Sequence, residues 1–323
     1  MNATPPVLFL IFNRRDAALE SLARIREARP ARMFVAADGP RPHKEGEAEK
    51  CAETRAAVLD AIDWPCEVKT LLRETNLGCG RAVSGAADWF FENVESGIVV
   101  EDDCVLSKSF FPFAAELLER YKNDTRVLCV SANCFQPPGT IKNASYYFSK
   151  YPHCWGWASW RRAWKLFADA NSKWEGFVAS GGLKKLNEGC PVFDRVYIDR
   201  FNEIRDKKLN TWAAQWRVAA WVNGGMLTIL PAVNMVRNTG SGADATHTFD
   251  SFNWASNLPA METTFPLVHP AAVVRNAAAD RWTDVHLFHI RRMRSLILFL
   301  SRFTILRIVY HKIFAQLFKK RCI

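Results

Sequence analysis

The chain of 323 residues is 49% hydrophobic and 24% charged, which excludes a disordered, collagen-like or disulfide-scaffold protein. Its formal charge of +10 invites a nucleic-acid partner, but nine Lys and Arg and no acid fall in residues 287–323. The remaining 286 residues carry 34 Lys and Arg against 33 Asp and Glu, so the body is near neutral and no nucleic-acid partner is expected for it.

Alternating strand and helix signals fill the first 130 residues. Pro5 and Pro6 precede Val7–Phe12, an unbroken apolar run of the kind found in a sheet covered on both faces. Leu19, Leu22, Ala23 and Ile25 recur at helical spacing, with Asp16 placed to cap that helix. Met33–Ala37 reads as a second strand, closed by the turn Asp38-Gly39-Pro40. A polar stretch leads to a helix over about Cys51–Ile62, and Glu67–Leu72 reads as a third strand. Asn76-Leu77-Gly78-Cys79-Gly80 is a glycine loop opening a helix that runs to about Asn93. Gly97–Val100 is a fourth strand ending in Glu101-Asp102-Asp103, followed by a helix near Phe110–Tyr121 and a strand at Val127–Val130. Strands separated by single helices imply βαβ units and a mostly parallel α/β sheet with flanking helices. After Ser131 the rhythm is lost, residues 146–174 are crowded with aromatics, and the strand order is not legible.

Ligands of open α/β sheets bind beyond the carboxyl ends of the strands. Asn13-Arg14, Asp38 and Glu101-Asp102-Asp103 all fall at such ends. Carboxylates at that place suit a hard divalent cation, Mg²⁺ or Mn²⁺, that bridges a diphosphate. The competing readings are plain: a solvated acidic turn, a surface arginine, and a turn-forming Asp38. The loop Asn76–Arg81 offers backbone N–H groups to a phosphate, a weak signal because short glycine loops are common.

Five segments together resemble a family: Asn13-Arg14-Arg15-Asp16, Ala37-Asp38-Gly39-Pro40, Asn76-Leu77-Gly78-Cys79, Glu101-Asp102-Asp103-Cys104, and the run Tyr151-Pro152-His153-Cys154-Trp155-Gly156-Trp157 that continues to Trp164. A later segment, Asn238-Thr239-Gly240-Ser241-Gly242 through Thr248, adds to them. Over residues 5–250 the chain resembles bacterial nucleotide-sugar transferases of the GT-A fold, related to glycosyltransferase family 2 and distantly to N-acetylglucosaminyltransferase I. We expect a single GT-A-like domain with a nucleotide-sugar-binding half (1–104) and an acceptor-binding half (105–286), followed by a basic, apolar, helical C-terminal tail (287–323). The resemblance implies a metal-dependent, inverting transfer from a UDP-type donor to a surface polysaccharide or lipid-linked glycan. Asn13, Arg14 and Asp38 would meet the nucleotide, and Asn76, Gly78 and Arg81 would form its loop. Glu101 and Asp102 would touch ribose or sugar. Asp103 and His247 would meet Mn²⁺ or Mg²⁺.

An inverting transferase needs a carboxylate to accept the proton of the acceptor hydroxyl. The resemblance leads one to seek it in Thr211-Trp212-Ala213-Ala214-Gln215-Trp216, where the chain has Ala213 and Ala214 instead. Asp194, Asp199 and Asp244 are the substitute candidates, each otherwise a solvated charge. Trp160 and Trp164, four apart, read as core on one helix face. Trp155 and Trp157 flank Gly156 and, with Trp212, read as the aromatic lining of an acceptor cleft. Two rivals come from other classes: a non-catalytic nucleotide-sugar-binding protein, consistent with Ala213, and a metal-dependent phosphoesterase, for which no second His/Asp cluster is found. A third is nucleic-acid binding through the tail alone.

Nine scattered cysteines without a C-x-x-C pair read as reduced thiols of a cytoplasmic protein. Val7–Phe12 is too short for a leader peptide. In the tail, Arg302, Arg307 and Lys312 interrupt the apolar residues well short of the ~20 needed to span a bilayer. Its cations do not gather on one helical side. Anionic lipid would still hold it, at about 1 kcal/mol per cation near the surface, giving a protein peripheral to the inner membrane.

Overall fold

The computed structural model describes residues 3–206, 211–240, 254–255 and 257–290. The apolar run after Pro6 forms β1 (Val7–Ile11), and every one of its residues is buried. The chain then alternates α1 (Arg15–Ala28), β2 (Arg32–Ala37), α2 (Glu47–Asp60), β3 (Glu67–Leu72), α3 (Cys79–Asn93) and β4 (Ser96–Glu101). A short β5 (Cys104–Leu106) precedes α4 (Phe110–Arg120) and β6 (Val127–Ser131). Beyond Ser131 come β7 (Tyr146–Ser149), β8 (Trp157–Trp160), α5 (Arg161–Trp164), α6 (Ala170–Ala179), α7 (Pro191–Arg205), α8 (Trp212–Val222), β9 (Leu227–Pro231), β10 (Val236–Asn238) and α9 (Ala277–His286).

Eight strands make one mixed sheet in the order β3-β2-β1-β4-β8-β6-β9-β7. β1 to β4 run parallel, and β6 and β9 run parallel to each other. β8 is antiparallel to both β4 and β6, and β7 is antiparallel to β9. Two antiparallel steps across β8 restore direction, so six of the eight strands end on one edge. The α/β, mostly parallel sheet expected from the sequence is therefore present. It is continuous across residue 104, because β4 pairs with β8. A two-stranded ribbon of β5 and β10 hangs from that same edge.

β1 and β2 lie inside the sheet and are closed on both faces, which explains their unbroken apolar runs. The edge strand β3 exposes Glu67 and keeps Lys69 at its margin, charges that discourage pairing with another chain.

Three local expectations shift. Asp16 does not cap α1: the capping position is Arg14, which makes no side-chain cap bond, and Asp16 stands exposed in the first turn, where it favours the helix dipole. α2 starts at Glu47 rather than Cys51, because the Glu47 carboxylate is buried against Arg41 and Asn13. Glu101 closes β4 instead of following it. Among the described residues eight cysteines are free thiols and no helix is long and apolar enough to cross a membrane. Residues 291–323 of the tail lie outside the described residues.

Candidate functional site

Three chain segments converge where β1 and β4 end. Phe12 to Arg14 leave β1, Glu101 to Asp103 leave β4, and Asn238 to Gly240 arrive from β10. The ribbon makes this meeting possible: Asn238 pairs with Cys104, one residue past the acids.

Asp102 is buried, 3% exposed, and fully engaged. One oxygen forms an ion pair with Arg14, and the other accepts the Phe12 N–H at 3.2 Å. Its carbonyl accepts the Ser21 hydroxyl at 2.9 Å. Asp102 therefore braces Arg14 and the β1 turn, and its side chain is only 4% exposed against 18% for Asp103. Asp103 is the open member. Its Oδ2 stands 3.1 Å from Arg14 Nη2, and its Oδ1 accepts Asn238 Nδ2 at 3.3 Å and the Cys104 thiol at 3.4 Å. The Asp103 carbonyl holds the Thr239 N–H at 2.8 Å. Gly240 then crosses so near that a Cβ there would run into Asp103 Oδ2 and stand 3.1 Å from Arg14 Nη1. Glu101 is partly buried and has no hydrogen-bond partner among the described residues.

Three carboxylates thus share one guanidinium. Burial, then Asp103 and Asp102, pushes the Glu101 carboxyl up to about 8, against the pull of Arg14. Burial also lifts Asp102 to about 6 despite Arg14. Burial disfavours the charge on Arg14, but Asp102 and Asp103 outweigh it and raise its pKa. Three thiols border these groups. Burial first, then the nearby carboxylates, raises Cys79 to about 12 and pushes Cys104 and Cys154 upward too, so none is a thiolate nucleophile.

Hard oxygen donors and uncompensated negative charge fit Mg²⁺ or Mn²⁺. No three His, Cys, Asp or Glu side chains among the described residues converge to hold an ion. The donor set is the sparse kind that Mg²⁺ completes with water and substrate phosphate. Within it Asp103 and Glu101 are the more accessible carboxylates. His247 lies outside the described residues, as does Asp244.

The glycine loop is placed differently from the expectation. Asp38 turns its carboxylate onto the loop, accepting the N–H groups of Gly39, Leu77 and Gly78 at 3.0 Å each, and Asn76 Nδ2 donates to the Gly39 carbonyl at 2.7 Å. The amides of Leu77 and Gly78 are therefore occupied by Asp38 and are not open to a phosphate. Asn13 donates to Glu47 at 3.0 Å, and Arg81 is exposed, turned back on the Leu77 carbonyl at 3.3 Å.

The tryptophans divide in another way than the sequence implied. Trp157 is 1% exposed and packs on Trp164, Trp212 and Trp216, with centroids 5.5–5.8 Å apart. Trp157 and Trp212 are core, so neither lines an acceptor cleft. The reason is β8: an inner strand buries alternate residues on both faces. Trp160 and Trp164 are core as expected, although Trp160 belongs to β8 and only Trp164 to a helix. Of the tryptophans expected to line the cleft, Trp155 is the one that is partly open, edge-on to Phe135 at 5.6 Å, and Phe135 in turn meets the exposed Trp254 at 6.2 Å.

Of the substitute bases, Asp194 and Asp199 both lie on α7. Asp194 accepts Asn187 Nδ2 at 2.8 Å, and Asp199 is 64% exposed beside Arg195. Neither belongs to the carboxylate cluster. The sequence reading named Cys104 and Asn238 within its motif segments but gave them no role, and it passed over Arg217. The signal for Arg217 was its place one helical turn after Ala213.

No family model matches the sequence, and no curated protein matches it. Solved structures overlap it loosely. A mannosyltransferase from Pyrobaculum calidifontis in complex with GDP-mannose and Mn²⁺ is 15% identical with a TM-score of 0.32, covering 49% of this chain and 45% of that one. TarS 1–349 of S. aureus is 14% identical with a TM-score of 0.33, covering 51% and 48%. A mannose-1-phosphate geranyltransferase from Thermus thermophilus is 11% identical with a TM-score of 0.33, covering 72% and 75%. The overlap takes in about half the length of the first two. Likenesses of this depth transfer no residue and no reaction to this chain.

Proposed function

We propose that the chain is a sugar transferase that takes its donor as a nucleoside-diphosphate sugar, of the UDP type expected from the resemblance, at the carboxyl edge of β1 and β4. The observation that carries this reading is one guanidinium, Arg14, set among Glu101, Asp102 and Asp103, with Gly240 closed down on Asp103. Asp103 and Glu101 would hold Mn²⁺ or Mg²⁺, which when bound offsets the charge on a departing diphosphate. Asp102 fixes Arg14, so that the guanidinium meets phosphate or nucleotide without reorganising. Residues 1–104 would serve the nucleotide, and the aromatic edge of Trp155, Phe135 and Trp254 in residues 105–286 would take a glycan or lipid-linked acceptor. The tail would lie on an anionic membrane surface.

Calorimetry with UDP, with and without Mn²⁺, tests the reading. We expect manganese-dependent binding that Asp103→Asn lowers at least tenfold. Equal affinity with and without the ion, in both proteins, removes it.

A second reading is favoured by Ala213 and Ala214, which stand where a base is sought: the protein binds a nucleotide sugar without turning it over. Slow hydrolysis of a UDP-sugar by the protein separates the enzyme from the binder.

A further inference from the structure

On α8 the residue one turn beyond Ala213 is Arg217, so the two share a helix face. Long side chains on a helix lean towards its N-terminus, which lays Arg217 over the turn that begins at Ala213. That end of α8 lies at the ligand edge of the sheet. Trp157, the first residue of antiparallel β8, packs there on Trp212 and Trp216. The segment His153–Gly156, which enters β8, lies at this same edge.

The surroundings of Arg217 are aromatic rather than acidic. Its guanidinium carbon lies 4.9 Å from the ring centre of Phe288, 5.4 Å from Tyr151 and 5.6 Å from Tyr197. Among the described residues its one hydrogen bond is Nη1 to the Tyr197 hydroxyl, long at 3.4 Å. Nε is buried and has no partner there. Among the described residues no carboxylate stands within ion-pair distance of it.

Rings orient a guanidinium by cation–π contact but leave its donors unused, and a planar fork of free donors suits a carboxylate or phosphate. A second donor is orphaned against the His153–Gly156 segment. Asn133 is fully buried, its Oδ1 accepts the Trp155 N–H at 3.0 Å, and its Nδ2 has no partner among the described residues. Cys154, in the segment that enters β8, feels the charges of both Glu101 and Arg217, and Arg217 makes no ion pair with Glu101, Asp102 or Asp103.

We infer that Arg217, held by Tyr151, Tyr197 and Phe288, seats an anionic group carried by the acceptor, so that the acceptor is an acidic sugar or a sugar phosphate rather than a neutral glycan. The inference rests on the transferase reading for the word acceptor, while the anion seat itself does not. The face that lacks a carboxylate at Ala213 offers a fixed positive charge, which favours an acceptor that brings its own negative charge. The donor diphosphate is the less favoured occupant because Arg14, paired with Asp102 and Asp103, is the cation proposed to meet it.

The test compares binding of glucuronate, glucose 6-phosphate and neutral glucose by ligand-observed NMR, in the wild type, Arg217→Gln and Arg217→Lys. We expect the charged sugars to bind at least tenfold more tightly than glucose. Arg217→Gln should abolish that preference and Arg217→Lys should keep part of it. A preference for glucuronate identifies a carboxylate, and one for glucose 6-phosphate identifies a phosphate. UDP affinity with Mn²⁺ is measured on the same proteins and should not change. Loss of UDP binding in Arg217→Gln assigns the arginine to the donor and overturns the inference. So does equal binding, or no binding, of charged and neutral sugars by the wild type, a comparison that needs no variant to fold. Failure of UDP to bind the wild type strikes the transferase reading and leaves the anion seat standing or falling by the sugars.

Discussion

Gly240 passes over Asp103 with no room for a side chain between them. This contact fastens β10, from the second half of the chain, to the acids that end β4. A Cβ would meet Asp103 Oδ2 first and then crowd Arg14. Gly240→Ala should therefore turn the carboxylate aside, at a cost of about 1–3 kcal/mol for the overpacked contact. Manganese-dependent UDP affinity should fall tenfold or more, and chemical denaturation measures the stability. Unchanged values for both would show that Asp103 moves freely and that the contact positions nothing.

Asp38 joins two turns that are distant in sequence. Its two oxygens accept the amides of Gly39, Leu77 and Gly78, and Asn76 returns a bond to Gly39. Asp38→Asn keeps the shape but replaces one acceptor with an NH₂ group facing N–H donors. The expected cost is about 1–3 kcal/mol, the usual range for stranded hydrogen-bonding groups. Denaturant midpoints of the two proteins check it. A variant as stable as the wild type would mean that the loop holds itself without Asp38.

The legible part of this fold is its local part. β1, β2 and β3 announce themselves as short apolar or branched runs between turn residues, and the glycines at 78 and 80 mark the start of α3. The sequence also placed Arg14 and the three acids at strand ends. It did not show which acid turns inward, because that depends on Phe12 and Ser21 meeting Asp102 from another strand and helix. The β5–β10 ribbon joins residues about 130 positions apart through three pairs, too few to leave a pattern. β8 hid for a different reason: with both faces buried, Trp157 and Trp160 lose the alternation that marks a strand, and a core tryptophan looks like a binding one.

Trp157 and Trp155 are two residues apart and should behave in opposite ways. Trp157 packs against three other tryptophans, and Trp157→Ala should cost about 3–5 kcal/mol, enough to unfold a marginal protein. Trp155 is partly open, and Trp155→Ala should cost about 1 kcal/mol while weakening acceptor binding. Thermal melts of the two variants discriminate them. Similar losses would place Trp155 in the core as well.

His153 sets a pH limit on stability. It is 8% exposed, packed edge-on to Phe135 and above Tyr151, and burial followed by the nearby Arg217 charge lowers its pKa to about 3 from the ordinary 6.5. Below pH 6.5 the unfolded chain takes up a proton that the native imidazole refuses, so stability falls as the pH drops. The loss is about 1.4 kcal/mol per pH unit, or about 2 kcal/mol between pH 6.5 and 5. Asp280 works in the other direction, since burial raises it to about 6 and its ionisation weakens the fold as the pH climbs from 4 to 6. The two are separated by comparing the wild type with His153→Gln at each pH, because Asp280 is common to both. The stability difference between them should shrink by about 2 kcal/mol from pH 6.5 to 5. A difference that stays constant over that window would mean that His153 takes up its proton in the folded protein.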